Sequence, residues 1–386
     1  MSAQLARRAF AAIEEWLDAT DVAWRYGRLG TRAQRNNLDT QLMPQNPRIG
    51  EERLLAAIRM QIGTANPGAQ DADQSLARSR WRGLLGNEKF ELAGFVQSES
   101  FHGVESTTIS DMRVDAHHHF WKYDPIEYAW IGDKMKVIRR DFLAKDLEAE
   151  AKRAGVEGAV SVQARETLEE TAFLLDIAAQ SKIIWGVVGW VPLVDPKVEA
   201  HLEKFASNKR LKGVRHVLQD EPANALMDDT RFDAGISKLP KFNLVYDLLI
   251  YERHLEQAIR FVDKHPNQVF VLDHVAKPRI RDGVMEPWAK HIKELARRPN
   301  IYCKISGMAT EADWAKWTAT GMQPYIDTVL AAFTPQRLMF GSDWPVLLVA
   351  SEYKRWADTV QSAISKLSTD EQKRIWGATA AEAYKL

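Results

Sequence analysis

From residue 113 onward the chain repeats one pattern, a short apolar run rich in Val and Ile followed by a segment of helical period. Eight such runs occur: RVDAHHHF (113–120), GAVSVQA (158–164), IIWGVVGWV (183–191), LKGVRHVL (211–218), FNLVYDLLI (242–250), QVFVLDHV (268–275), IYCKISGM (301–308) and RLMFGSDWPV (337–346). Most are nearly continuous in apolar residues rather than alternating, as expected of strands covered on both faces in a parallel sheet. The segments 141–154, 167–180, 198–206, 253–264, 287–297, 325–333 and 352–366 are amphipathic, each with one apolar side to lay against a sheet. Eight strands alternating with helices predict an α/β fold of the (β/α)8 TIM-barrel type, which typically takes about 250 residues. An open doubly wound sheet is the competing arrangement. Its Gly-rich phosphate turn is missing after the first run, where HHHFW stands instead.

Residues 1–111 have another texture. They hold twelve arginines and one lysine, whereas 112–386 hold seventeen and twenty-two. Two short helices are expected, over 3–19 and 51–62, within stretches rich in Asn, Gln, Gly, Pro and Ser that lack a sustained hydrophobic period. The expected organisation is therefore a loosely ordered N-terminal extension, 1–111, and a barrel, 112–386.

Fifty-two basic and fifty-two acidic residues balance to a formal net charge of zero, which speaks against a nucleic-acid or charged-membrane partner and for a small-molecule substrate. The most apolar stretch, 183–194, is broken by glycines and a proline and falls short of the roughly 18 residues of a membrane span. A single cysteine, Cys303, cannot form an intrachain disulfide. Together with the acidic residues Glu14, Glu15 and Asp18, which stand where a signal peptide needs apolar ones, this predicts a cytoplasmic protein. Nothing in the sequence specifies an oligomeric state.

Chemistry is expected where the strands end, because in a barrel the site lies at their carboxyl face. His117 and His119 are two positions apart, so on an extended backbone both leave on one face, near enough to share a metal ion or a substrate oxygen, while His118 points away. The fourth run ends in Arg215 and His216, the fifth carries Asp247, and the sixth ends in Asp273 and His274. Lys304 and Ser306 lie on the seventh, with Ser342 and Asp343 after the eighth.

DAHHHFW, KGVRH, LDHVAKP, KISG and FGSDWP together resemble the amidohydrolase superfamily in its amidohydrolase-2 branch, and within it the sugar lactonases of the L-fuconolactonase and L-rhamnonolactonase type. The resemblance covers 112–386, and Met112-Arg113-Val114-Asp115 is similar to the family's usual start, so 1–111 is expected to be dispensable. It implies a hydrolase that opens an aldonolactone, with Asp343 taking a proton from the attacking water. His274, Arg215 or His216 would stabilise the charge developing on the carbonyl. By the same resemblance, His117 and His119 with His274 and Asp343 either hold one divalent cation, Zn2+ by donor type, or act without metal as donors to the substrate. A two-metal site is not expected, because Arg215 and His216 replace the family's modified lysine after strand four and Lys212 lies at the opposite end. Lys304 and Lys277 are expected to fix a substrate carboxylate or hydroxyl, and Trp121 and Trp344, with Phe120 and Trp190, either to stack on a sugar ring or to pack the barrel mouth. The branch also contains metal-dependent, non-oxidative decarboxylases of aromatic or muconate-type acids, which form the alternative.

Overall fold

The computed structural model describes residues 112–220 and 226–386. The helices expected over 3–19 and 51–62, and the loose order expected across 1–111, lie outside the described residues.

Each apolar run contains a strand shorter than itself: β1 Val114–His118, β2 Gly158–Val162, β3 Ile184–Gly189, β4 Leu211–His216, β5 Val245–Leu248, β6 Phe270–Leu272, β7 Ile301–Ile305 and β8 Leu338–Phe340. The strands pair in parallel in sequence order. Between and after them run α1 Ala144–Ala154, α2 Leu168–Gln180, α3 Val198–Ala206, α4 Thr230–Ile236, α5 Leu255–Lys264, α6 Trp288–Leu295, α7 Ala319–Phe333, α8 Tyr353–Ala363, α9 Thr369–Lys373 and α10 Thr379–Tyr384. This is the (β/α)8 barrel. No helix among the described residues is long and apolar enough to cross a membrane.

Local chemistry sets the boundaries. The side chain of Thr167 accepts from Glu170 N and starts α2, and Gly155 ends α1 at φ 69°, a left-handed conformation that glycine adopts without penalty. Helix α7 begins before the expected residue 325. Thr318 caps it by accepting from Gly321 N, and the helix continues through Pro324, the residue that truncates its sequence signal. Helix α4, capped by Asp229, spans only seven residues, too few for its period to be read from sequence.

Two apolar layers result. One lies between strands and helices, and the other fills the barrel interior with Val114, Ala116, Val160, Val162, Val188 and Val271 among others. Ala380, Ala383 and Tyr384 of α10 pack into that interior. Helix α10 covers the amino ends of the strands, as shown by the bonds from Tyr302 Oη to Glu382 (2.9 Å) and from Lys212 Nζ to the Lys385 carbonyl (2.6 Å). His117, His119, His274 and Asp343 lie at the carboxyl ends, at or just beyond the last residues of β1, β6 and β8.

The barrel closes between β1 and β8 largely through one carboxylate. Asp115, fully buried, accepts from Ser342 N (2.8 Å), Ser342 Oγ (2.6 Å), His117 N (3.1 Å) and Tyr353 Oη (2.9 Å). Burial pushes it up to about 6 in spite of those donors. Above it, Asp343 N donates to the His117 carbonyl at 2.8 Å and His119 N to the Trp344 carbonyl at 2.7 Å.

All eight strands and both apolar layers fall within 112–386, and we propose this segment as the barrel domain. Expressed alone, it is expected to be soluble, with a thermal midpoint within about 4 °C of the full chain, roughly the effect of 1–2 kcal/mol in a domain of this size. Insolubility or a larger drop would make the preceding segment a structural part of the barrel.

Candidate active site

The register of β1 on β2 is irregular between Asp115 and His118, and beyond it His117 and His119 turn into the barrel mouth and His118 outward, where its Nε2 lies 3.0 Å from Ser161 Oγ. His117 Nδ1 lies 3.2 Å from Asp273 Oδ1. His119 Nδ1 lies 2.8 Å from the Val162 carbonyl. The Val162 carbonyl only accepts, so His119 carries its proton on Nδ1. His117 Nδ1 faces Asp273 and, also at 3.2 Å, the Lys304 ammonium, while the Arg215 guanidinium, which only donates, faces its Nε2 at 3.4 Å. Both rings thus turn an Nε2 lone pair to the mouth. The two Nε2 atoms stand 3.2 Å apart, with Asp343 Oδ1 at 3.4 Å from that of His119 and 3.8 Å from that of His117. Lone pairs facing each other across such a gap repel unless a proton or a cation lies between them.

Asp343 follows β8 in a left-handed backbone conformation, φ 60°. Burial pushes its carboxyl up, but the neighbouring His274 and His119 outweigh this and hold it below the ordinary carboxylate range. It is ionised at neutral pH. The three atoms fit one divalent cation of the Zn type: bonds of about 2.0–2.1 Å give tetrahedral edges of about 3.3–3.4 Å, close to the separations observed. A second grouping, His117 with Asp273 and His274, fits less well, since Asp273 already accepts from Arg215 and Lys304. His274 Nε2, at 3.9 Å from Asp343 Oδ1, stands beside the three-residue set. Of the four residues expected as ligands, the structure brings the donor atoms of His117, His119 and Asp343 together and sets His274 beside them.

His274 owes its position to strain. After β6 the chain makes four successive left-handed residues, His274 to Lys277, at φ 54°, 49°, 61° and 48°, a conformation that costs roughly 1–2 kcal/mol at each non-glycine residue. Trp288 Nε1 clamps the turn by donating to the Val275 carbonyl at 2.7 Å, and Ser306 Oγ meets His274 Nδ1 at 2.9 Å. Gly307 lies against the imidazole so closely that a Cβ there would run into Nδ1. Burial lowers His274 to about 4, against the pull of Asp343.

Below these residues lies a charged layer. Arg215 Nη1 reaches Asp273 Oδ2 (3.0 Å) and His117 Nε2 (3.4 Å). Lys304 Nζ bonds to Asp247 and lies 2.9 Å from Asp273. Burial would raise Asp273, but the Lys304 ammonium, His117 and Arg215 hold it well below the ordinary range.

Several sequence expectations change here. Lys304 was expected at the substrate, but it has no exposed surface and turns its ammonium to two carboxylates. Trp121 and Trp344 are also buried; they pack around Phe142, and Trp121 Nε1 donates to the Arg140 carbonyl. Both wall the mouth rather than present a stacking face. His216 turns its Nδ1 toward Glu166 (3.1 Å) and Trp190 Nε1 (3.2 Å) at the rim. Lys277 also lies at the rim, 3.7 Å from Glu311 and 5.4 Å above the Tyr251 ring. Sequence reasoning noted Asp247 and Asp273 as polar strand residues without giving them a role. Their signal was a carboxylate inside an apolar run. Glu311 carried no such signal, since it sits in an ordinary polar loop.

The family model described as Amidohydrolase matches residues 114–386. The chain is 40% identical over 286 residues to an L-fucono-1,5-lactonase of Burkholderia multivorans, covering 71% of this chain and 96% of that protein. It is 34% identical over 278 residues to an L-fucono-1,5-lactonase of Burkholderia ambifaria, again covering 71% and 96%. A crystal structure of an amidohydrolase from Burkholderia multivorans with bound zinc superimposes with a TM-score of 0.70 at 39% identity, covering 71% of this chain and 99% of that one.

The titration of His274 tests its burial. In chelator-treated protein its imidazole is expected to titrate near about 4 by NMR, against 6.5 for the unperturbed group. The unfolded chain then takes up this proton between 6.5 and about 4 while the fold does not, so His274 makes stability fall as pH drops through that window. A midpoint near 6.5 would show that the imidazole is solvated.

Proposed function

The chain belongs to the amidohydrolase family, and on that premise we propose that this hydrolase opens a sugar lactone by attack of water on the ring carbonyl, with Asp343 as the base. The observation that carries the substrate class is the similarity to two L-fucono-1,5-lactonases over nearly their whole length. What supports the chemistry is an ionised carboxylate facing two imidazole lone pairs at the open end of the barrel.

Asp343 Oδ1 faces the imidazoles, which leaves Oδ2 to take a proton from the attacking water. As the water oxygen bonds to the carbonyl carbon, negative charge develops on the carbonyl oxygen. Arg215 and His274 are the donors proposed to stabilise it, the latter when its Nδ1 accepts from Ser306 and its proton lies on Nε2. The bond from the carbonyl carbon to the ring oxygen then breaks. The ring oxygen takes the proton from Asp343, and the product is a hydroxy acid that ionises at neutral pH. His117 Nε2, His119 Nε2 and Asp343 Oδ1 are the atoms that would hold a divalent cation, which when bound supplies Lewis-acid polarisation of the carbonyl and lowers the pKa of water. Trp190, His216, Glu166, Lys277 and Glu311 at the rim offer donors and acceptors for ring hydroxyls. Cys303 is buried and unpaired, in keeping with a cytoplasmic enzyme.

Proton release over a panel of pentono- and hexonolactones, after chelation and with Zn2+ restored, tests the reaction. Opening of at least one lactone well above the uncatalysed rate is expected. Background rates throughout, together with CO2 release from an aromatic or muconate-type acid, would move the assignment to a decarboxylase.

Replacing Asp343 with Asn keeps the side-chain shape and removes the base, so kcat is expected to fall by at least about 10²-fold with the fold intact by circular dichroism. Near-normal turnover would place the base elsewhere.

A further inference from the structure

The C-terminal helix does more than fill the barrel floor. Tyr384 of α10 is 2% exposed, and its hydroxyl lies 2.8 Å from Asp247 Oδ1 and 2.9 Å from Oδ2. Asp247 bonds to Lys304 Nζ, Lys304 Nζ lies 2.9 Å from Asp273 Oδ1, and that same oxygen faces His117 Nδ1 at 3.2 Å. Unbroken contact therefore links the last turn of the chain to the imidazole whose lone pair faces the reacting centre. Asp247, Asp273, Lys304 and His117 have no exposed surface. Bulk solvent is therefore kept from replacing a hydrogen bond that one member would lose if another moved.

Lys304 is shared between two carboxylates with different obligations. Asp273 also accepts from Arg215 and orients His117, whereas the other partner of Asp247 is the Tyr384 hydroxyl. Burial and the adjacent Asp247 push that phenol well above its ordinary range, so it stays protonated and donates. Without it, Asp247 would depend on Lys304 alone and would draw the ammonium from Asp273 and from His117 Nδ1, which it meets at 3.2 Å, shifting the contacts that orient the imidazole.

We propose that Tyr384 is a positioning residue: by donating to Asp247 from the barrel floor it keeps Lys304 shared between Asp247, Asp273 and His117 Nδ1, and so holds the His117 ring in the orientation that turns its Nε2 to the site. The catalytic part of this inference rests on the hydrolase reading above. The structural part does not.

Tyr384→Phe removes the hydroxyl and keeps the ring, including its place 5.5 Å from the Lys304 ammonium. In the full-length protein labelled with 15N-histidine, this variant is expected to shift or broaden the His117 Nδ1–H resonance. It is also expected to lower kcat about 10-fold with KM within about twofold, the lower end of the 10–100-fold typical for residues that orient metal-ligating groups. The control is Leu386→Ala, which loosens packing in the same apolar layer. It is expected to lower the thermal midpoint while leaving both readouts in place. An unchanged His117 resonance would make Tyr384 a packing residue only, and a shifted resonance with unchanged kcat would overturn the catalytic part of the inference. If Tyr384→Phe does not fold, 3-fluorotyrosine incorporated at Tyr384 keeps the shape and strengthens the donor; the His117 resonance must then move, and if it does not the proposal fails. Should the protein open no lactone at all, the resonance still decides the relay, so the two failures are distinguishable.

Discussion

The site depends on an ammonium held between two carboxylates inside the barrel. Lys304, Asp247, Asp273 and Arg215 are buried, and charges so placed are tolerated only when each is matched; removing one partner of such a set typically costs about 3–5 kcal/mol. Two cations balance two carboxylates, yet the carboxylates are not equivalent. Burial leaves Asp247 raised to about 6 in spite of Lys304, whereas Asp273, beside Lys304, His117 and Arg215, is held well below its usual range. The imidazole rests on Asp273 and beside Lys304, which together orient its ring and the Nε2 that β1 presents at the mouth.

His274 reaches the same place by different means. Four left-handed residues in succession have an intrinsic energy of several kcal/mol by the usual scale, about 1–2 each, so surrounding contacts must over-determine them. Those contacts are the Trp288 indole on the Val275 carbonyl, Ser306 on the ring, and the missing side chain of Gly307. The KISG motif is therefore structural in three of its four positions: Lys304 balances charge, Ser306 holds an imidazole from the neighbouring strand, and Gly307 makes room for it.

Much of this was legible in the chain. Continuous apolar runs located all eight strands, and the period-2 rule placed His117 and His119 together with His118 behind them. What sequence could not show is whether a polar side chain in an apolar strand faces substrate or another charge. Lys304 and Trp121 have the residue types of binding groups, and only the packing of adjacent strands turns one toward Asp247 and the other toward Phe142. Tyr384 lay furthest from prediction. Its partner Asp247 precedes it by 137 positions, and a tyrosine in a terminal amphipathic helix ordinarily signals packing alone.

The Asp115 clasp joins the first strand to the segment after the last, and the residues it sets in register, His117 and Ser342, immediately flank or belong to the group that would bind the substrate. Most barrels could begin to open along a boundary remote from their chemistry. Here the line along which the cylinder would part runs between His119 and Asp343. Partial unzipping by heat or denaturant would therefore separate the proposed base from its imidazoles before much of the sheet is lost, so that inactivation becomes an early reporter of unfolding rather than a late one.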